Sequence, residues 1–277
     1  MIANKAPRAL RLGWACPNLD TLPAEALITL LDAVAAAGYE GIEPMIDRPY
    51  ALPAPSLQRL LYPRGLRLVG LRTGGIVRER GLTLSARAPG KRACAVSALM
   101  EVIHFGARFG RPKVLVGLMQ GRLEPDVSLE QALDWIAEGL RRAAQEAAGL
   151  GMEIYLEPVT RGELGYNGTV AEVLALIQRV GAPNVLLLVD SYHMHLGEDD
   201  LTGALSLAGP RIGHVHLSDS NRRAPGMGDL DFAGLLKTIS GAGYHGVMTV
   251  ECDDWPDPLT ALRRAARHLS ARAKEVR

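Results

Sequence analysis

Four short apolar runs in this chain each end in a side chain that can ligate a metal, and that repetition narrows the possible folds more than any other feature. Residues 152–156 run into Glu157, 185–189 into Asp190 with His193 just beyond, and 246–250 into Glu251. The fourth run, 212–217, carries His214 and His216 and opens into Asp219, Asn221 and Arg222. Runs this short, aliphatic and β-branched read as buried strands. Their polar ends cannot stay buried without partners, so each strand must open into a site or into solvent. His214 and His216 are two apart and therefore share one face of their strand. If the four strands are parallel members of a barrel, their tips lie on one rim.

The rest of the chain supplies that barrel. Strand-like runs at 10–14, 41–43, 67–71 and 113–116 precede the runs ending at 157, 190, 217 and 251. Helical patterns at 22–37, 54–62, 89–109, 128–148, 169–180, 199–207, 232–240 and 258–273 alternate with them. Pro23 sits at a helix start, Gly38 just past that helix, and Ser128 at an N-cap position, as helix ends require. Strand–helix alternation argues for a parallel sheet. Eight such units in a chain of 277 residues match the size of a (β/α)8 TIM barrel, an α/β fold, with residues 1–277 as one catalytic domain. A doubly wound sheet would need a glycine-rich turn after its first strand, and Gly13-Trp14-Ala15-Cys16-Pro17 is not one. The Arg- and Gly-rich stretch 72–88 is expected to be a loop that acts as a mobile lid.

Composition excludes some functions. With 31 basic and 30 acidic residues the net charge is +1, which gives no electrostatic reason to expect a nucleic acid or a membrane surface as partner. Hydrophobic residues make up 48%, enough for a large core. Cys16, Cys94 and Cys252 have no paired spacing, which fits a reducing, cytoplasmic compartment. The basic segment 1–11 has no apolar signal core behind it, and no apolar run approaches membrane-spanning length.

On a TIM barrel the active site is built at the C-terminal ends of the strands. Glu157, Asp190, His216 and Glu251 all fall there. Any one of these acids alone reads as a solvated loop residue, but four strand ends in a row do not. Three carboxylates and one imidazole suit a hard or borderline divalent cation such as Mn2+, Mg2+ or Co2+; Zn2+ more often takes additional nitrogen or sulfur ligands. His214, one layer deeper, reads as a supporting histidine rather than a ligand. His104 and His245 read as structural residues, and His195 and His268 as surface residues. Trp14 is either an apolar wall for a substrate or a core residue. Arg72 either contacts an anionic group or lies in solvent, and Asp219 either supports a metal-bound imidazole or caps a loop.

These motifs together resemble the sugar isomerase/epimerase superfamily with the xylose-isomerase-like barrel, most of all the ketose 3-epimerases of the D-tagatose and D-psicose type. The resemblance rests on Leu156-Glu157-Pro158 with Arg161 and Glu163, on Asp190-Ser191-Tyr192-His193, on 214–222, on 223–232, on Val250-Glu251 and on 38–43. It implies one divalent metal, Mn2+ foremost, held by Glu157, Asp190, His216 and Glu251. It implies that Glu157 and Glu251 also form an acid/base pair, and that Glu163, His193 and Arg222 contact a small-molecule sugar. The implied reaction is C3 epimerisation of a free ketose through a metal-stabilised cis-enediolate, one base acting on each face. A homo-oligomer, dimer or tetramer, is expected. The same rim could serve an aldose–ketose isomerase of the hydroxypyruvate type, or a lyase that dehydrates an inosose or a dehydroshikimate-like acid. A DNA-repair endonuclease of related fold would need three metals and further histidines at strands three and four, which end here in Arg72 and Gly117-Leu118-Met119.

Overall fold

The structure, a computed structural model, describes residues 10–51 and 53–276. Most of the basic N-terminal segment read above as lacking a signal core lies outside them. Nine strands form one parallel sheet: β1 (Leu12–Cys16), β2 (Gly41–Pro44), β3 (Arg67–Leu68), β4 (Gly70–Arg72), β5 (Lys113–Val116), β6 (Ile154–Leu156), β7 (Val185–Asp190), β8 (Ile212–Leu217) and β9 (Met248–Val250). The sheet order is β3-β2-β1-β9-β8-β7-β6-β5-β4. The eight expected positions are all present; the third strand is broken at Val69. Its first half pairs with β2 and its second half with β5, and a bridge from Met45 to Arg72 closes the barrel.

The helices around the barrel follow the sequence pattern: α1 (Ala24–Ala36), α2 (Ala54–Leu61), α4 (Pro89–Ala107), α5 (Leu129–Gly149), α7 (Val170–Val180), α9 (Leu201–Ala208), α10 (Phe232–Gly241) and α11 (Pro258–Glu275). Ser128 caps α5 by accepting the Gln131 amide, and Thr169 and Glu172 form a reciprocal capping box on α7. Three short helices come as additions: α3 (Gly74–Arg80), α6 (Arg161–Leu164) and α8 (Ser191–Gly197). The expected lid at 72–88 is therefore corrected. Its first part is α3, and its second part docks on the 118–120 turn through Leu84 N–H to Met119 O (2.9 Å) and Ser85 N–H to Gln120 O (3.0 Å). Leu84, Ser85 and Ala86 are buried. The backbone amides found partners against the barrel rim, which a loop prediction from Arg and Gly content could not foresee. Among the described residues, no helix is long and apolar enough to cross a membrane.

The apolar side chains form two populations. The larger one fills the space between strands and helices, with Leu31, Val34, Leu99, Ile136, Leu140, Val173 and Leu262 fully buried. The smaller one, Leu115, Tyr155 and Leu188 with Leu186 beside it, plugs the barrel interior. Trp14 belongs to the outer population. It is 1% exposed and meets the edge of Tyr39 at 5.8 Å, whose hydroxyl donates to Leu262 O on α11. Trp14 is thus a core residue tying β1 to α11 and not a substrate wall. Trp14→Ala should lower the unfolding free energy by about 3–5 kcal/mol in urea titrations and leave KM unchanged; a raised KM with unchanged stability would reverse that placement.

Candidate metal centre

One local irregularity brings the site together. Along β7 and β8 the register runs Leu187 opposite Ile212 and then Leu188 opposite His214, so Gly213 is an extra residue in β8. That bulge places His216 beside Asp190. Without it Val215 would take that place and the histidines would be out of step with the inward residues of β7. A Cβ at Gly213 would overlap the Tyr155 ring, so only glycine permits the bulge against this interior. The amide of Glu157 binds Val116 O and that of Glu251 binds Leu217 O, both at 3.1 Å, which continues the ladder to those two residues.

Glu157, Asp190, His216 and Glu251 each offer one ligand atom, and all four atoms lie within 4.8 Å of one another. His216 Nδ1 stands 2.8 Å from Glu251 Oε2, 3.5 Å from Glu157 Oε1 and 3.7 Å from Asp190 Oδ2. His216 Nδ1 and Glu157 Oε1 are buried and make no hydrogen bond. Two carboxylates are anchored through their other oxygen. Asp190 Oδ1 accepts the Tyr192 and His193 amides at 2.7 and 3.0 Å, capping α8. Glu251 Oε1 is paired with the Arg72 guanidinium, which also donates to the backbone oxygens of Glu43 and Cys16. Three carboxylate oxygens and one imidazole nitrogen converging on a buried point are the donor set of a divalent cation, and the two atoms without a hydrogen bond would acquire their partner in it. Glu157 depends on Gly117 for room, since a Cβ there would overlap its Oε2.

A carboxylate that sequence reasoning left without a role lies directly behind His216. Glu43, fully buried on β2, accepts from His216 Nε2 at 2.7 Å and meets His214 Nε2 at 2.8 Å. A carboxylate behind a metal-binding imidazole fixes the ring and raises its basicity. The signal in the sequence was the acid that ends the strand-like run 41–43. Burial alone would push the Glu43 carboxyl up, and His216 and His214 hold it far below the usual range. Burial acts to lower His216, but Glu43, Glu251 and Glu157 raise it well above an ordinary imidazole. Glu251 is likewise held well below the usual carboxylate range by Arg72 and His216 in spite of its burial. His214 is 0% exposed, and burial together with the Lys113 charge pushes it down to about 3. It lies one layer below His216 and, with Glu43 and His216, forms a second, fully buried group of possible ligands.

The cluster opens into a pocket that Glu163, His193, Arg222, Arg72, Arg78 and Leu118 also line. Glu163 reaches it from α6 and His193 from α8. Arg222, at φ 61°, lies over the Tyr192 ring and 3.5 Å from His193 Nε2. Trp14 does not line the pocket. Arg72 pairs with Glu251 rather than lying in solvent. Asp219 caps its loop: Oδ1 accepts the Ser220 and Leu230 amides and Oδ2 those of Gly226 and Met227. His195 and His245 are exposed, His104 is exposed and paired with Glu146, and His268 packs half-buried on Phe232.

Residues 31–272 match the xylose isomerase-like TIM barrel family, and the chain belongs to it. A human protein assigned as a hydroxypyruvate isomerase is 28% identical over 260 residues, 91% of each chain. The L-ribulose 3-epimerase of Methylomonas sp. is 34% identical over 131 residues, 47% of this chain and 46% of its own. Among solved structures, an L-ribulose 3-epimerase superposes with a TM-score of 0.84 at 23% identity, covering 96% of this chain and 95% of the other. The Escherichia coli 3-keto-D-glucoside 4-epimerase gives 0.82 at 24%, covering 95% and 99%. The named relatives are epimerases and isomerases, and the chain is an isomerase by class.

Two expectations follow. Gly117→Ala should displace the Glu157 carboxylate and weaken Mn2+ binding at least about tenfold by calorimetry, with the fold retained by circular dichroism; unchanged affinity would show that Glu157 does not need that space. Burial also pushes the Lys113 ammonium down to about 8 from 10.5. Between those values the unfolded chain binds more protons than the folded one, so this residue makes stability rise with pH there. The unfolding free energy of wild type minus that of Lys113→Met should climb by roughly 3 kcal/mol from pH 7.5 to 10.5; a flat difference would count against a desolvated, charged lysine.

Proposed function

We propose that this chain is a divalent-metal-dependent sugar isomerase/epimerase whose reaction is C3 epimerisation of an unphosphorylated ketose. The observation that carries the reading is the pair of orphaned atoms, Glu157 Oε1 and His216 Nδ1, facing Asp190 Oδ2 and Glu251 Oε2 on one rim. Glu157, Asp190, His216 and Glu251 would hold the ion, with Mn2+ foremost. Bound there, it supplies Lewis-acid stabilisation of charge on the oxygens next to the carbon that loses its proton.

The chain's own residues do the rest. Glu157 from the β6 tip and Glu251 from the β9 tip stand on different sides of the centre, so one can take the proton from one face of the substrate and the other can return one to the opposite face. His193 Nδ1 accepts the Thr160 amide at 3.3 Å, which leaves its proton on Nε2, on the side of Arg222. That N–H and the Arg222 guanidinium can donate to substrate oxygens where negative charge develops. Glu163 at the pocket wall can accept from a hydroxyl.

A second reading has its own support. The alignment to the hydroxypyruvate isomerase spans 91% of both chains, against 78% of this chain and 71% of the other for an L-ribulose 3-epimerase of Mesorhizobium japonicum. Such an isomerase carries the proton between adjacent carbons on one face and needs one base. Incubating Mn2+-loaded protein with ketohexoses, ketopentoses and hydroxypyruvate, with chromatographic analysis, separates the two. Glu157→Gln and Glu251→Gln, each loaded with metal, should lose epimerisation by about 10²–10⁴-fold, because an amide oxygen can ligate but cannot accept a proton. In D2O each variant should wash label into only one of the two epimers. Near-wild-type epimerisation in both variants would rule out the two-base route, and loss in only one of them would favour the one-base isomerase.

A further inference from the structure

We propose that Lys113, on the barrel floor at the start of β5, is a positioning residue for the metal centre: through His214 and Glu43 it sets which ring nitrogen of His216 faces the three carboxylates. The inference rests on the metal-site reading above for its last link only.

The argument is a count of protons. Lys113 Nζ has three hydrogens and three acceptors within reach: Gly213 O at 2.6 Å, His214 Nδ1 at 3.0 Å and Tyr244 Oη at 3.1 Å. The Tyr244 hydroxyl spends its single hydrogen on Val247 O at 2.6 Å, so it cannot also donate to His214 Nδ1, 3.5 Å away. Among the described residues, Lys113 is then the donor to that nitrogen. An imidazole that accepts at Nδ1 carries its proton at Nε2. His214 Nε2 lies 2.8 Å from Glu43 Oε2, where Thr249 Oγ1 also donates at 2.9 Å. The other oxygen, Oε1, is left to accept from His216 Nε2 at 2.7 Å. His216 therefore turns Nδ1 toward Glu157, Asp190 and Glu251.

The opposite direction fails at two joints. A proton on His214 Nδ1 would face the ammonium, and a bare Nε2 would face a carboxylate. The His214 ring is 0% exposed and its contact with Glu43 is buried, so the ring cannot turn to water for relief. Gly213 contributes twice, since the bulge it makes aligns the histidines and its carbonyl anchors the lysine.

Nitrogen-15 spectra of the imidazoles at pH 7, with Mn2+ calorimetry on the same protein, test this without turnover. In wild type, His214 should be neutral with its proton on Nε2, and His216 should keep Nε2–H both metal-free and loaded with Zn2+. Lys113→Met, which keeps the length but no donor, should populate the Nδ1–H form of His214 and raise the Mn2+ Kd by about 10–100-fold. Lys113→Arg, which restores a donor, should recover most of that loss. A proton on His214 Nδ1 in wild type, or an Mn2+ Kd for Lys113→Met within about twofold of wild type, overturns the proposal. If Lys113→Met does not fold, the wild-type spectrum and the Lys113→Arg affinity decide it. Wild type with the expected tautomers that binds no Mn2+ overturns the metal-centre reading and the positioning role with it; the wrong tautomer with normal Mn2+ binding overturns the positioning role alone.

Discussion

The Glu43 carboxylate is a full charge in the closed interior of the barrel, and the rest of the site hangs from it. Its two oxygens are taken by two imidazoles and a threonine hydroxyl. A buried charge this completely bonded is tolerable, whereas removing one partner from such a pair costs about 3–5 kcal/mol because the other is left uncompensated. His216 is thereby held by its far nitrogen, and the near one faces Glu157, Asp190 and Glu251. The interior of this barrel is for that reason not uniformly apolar: a plug of Leu115, Tyr155, Leu186 and Leu188 stands beside a polar column from Lys113 up to His216.

The carboxylates follow the same rule of half-commitment. Asp190 gives one oxygen to the amides that open α8, and Glu251 gives one to Arg72. Rotating either group would break those bonds, so the remaining oxygens point inward without needing a ligand to order them. Preorganisation of this kind is what a site must have if it is to stabilise charge that appears only during reaction. Glu157 is the exception, with one oxygen orphaned and room supplied by the missing Cβ of Gly117. Among the described residues Glu157 has no guanidinium partner comparable to Arg72 on Glu251.

Much of this was legible in the chain. Eight strand runs and eight helical patterns emerge because a barrel strand buried on both faces is continuously apolar and a covering helix is apolar on one stripe. The polar residue at the tip of each run breaks the apolar pattern, which is why Glu157, Asp190, His216 and Glu251 stood out. Glu43 ended its run, 41–43, in the same way, but a run of three residues is too short to single it out. The segment 72–88 was misread because Arg and Gly signal a loop locally, while the bonds that dock it come from the 118–120 turn. Trp14 could be placed on either side of β1 until the first strand was found at Leu12–Cys16 rather than two residues earlier.

What the sequence determined by itself was the alternation of strands and helices, the barrel it implies, and the list of strand-end ligands, since these are local patterns of apolar spacing and of where that spacing stops. What only the tertiary structure decided was relative register and partnership. The bulge at Gly213 puts His216 beside Asp190, Arg72 crosses from β4 to Glu251, and Glu43 joins two histidines more than 170 residues away. A strand's own residues say which of them share a face, but not how far the neighbouring strand slides. That offset is set by close packing in the barrel interior, where a glycine fits against Tyr155 and nothing larger does.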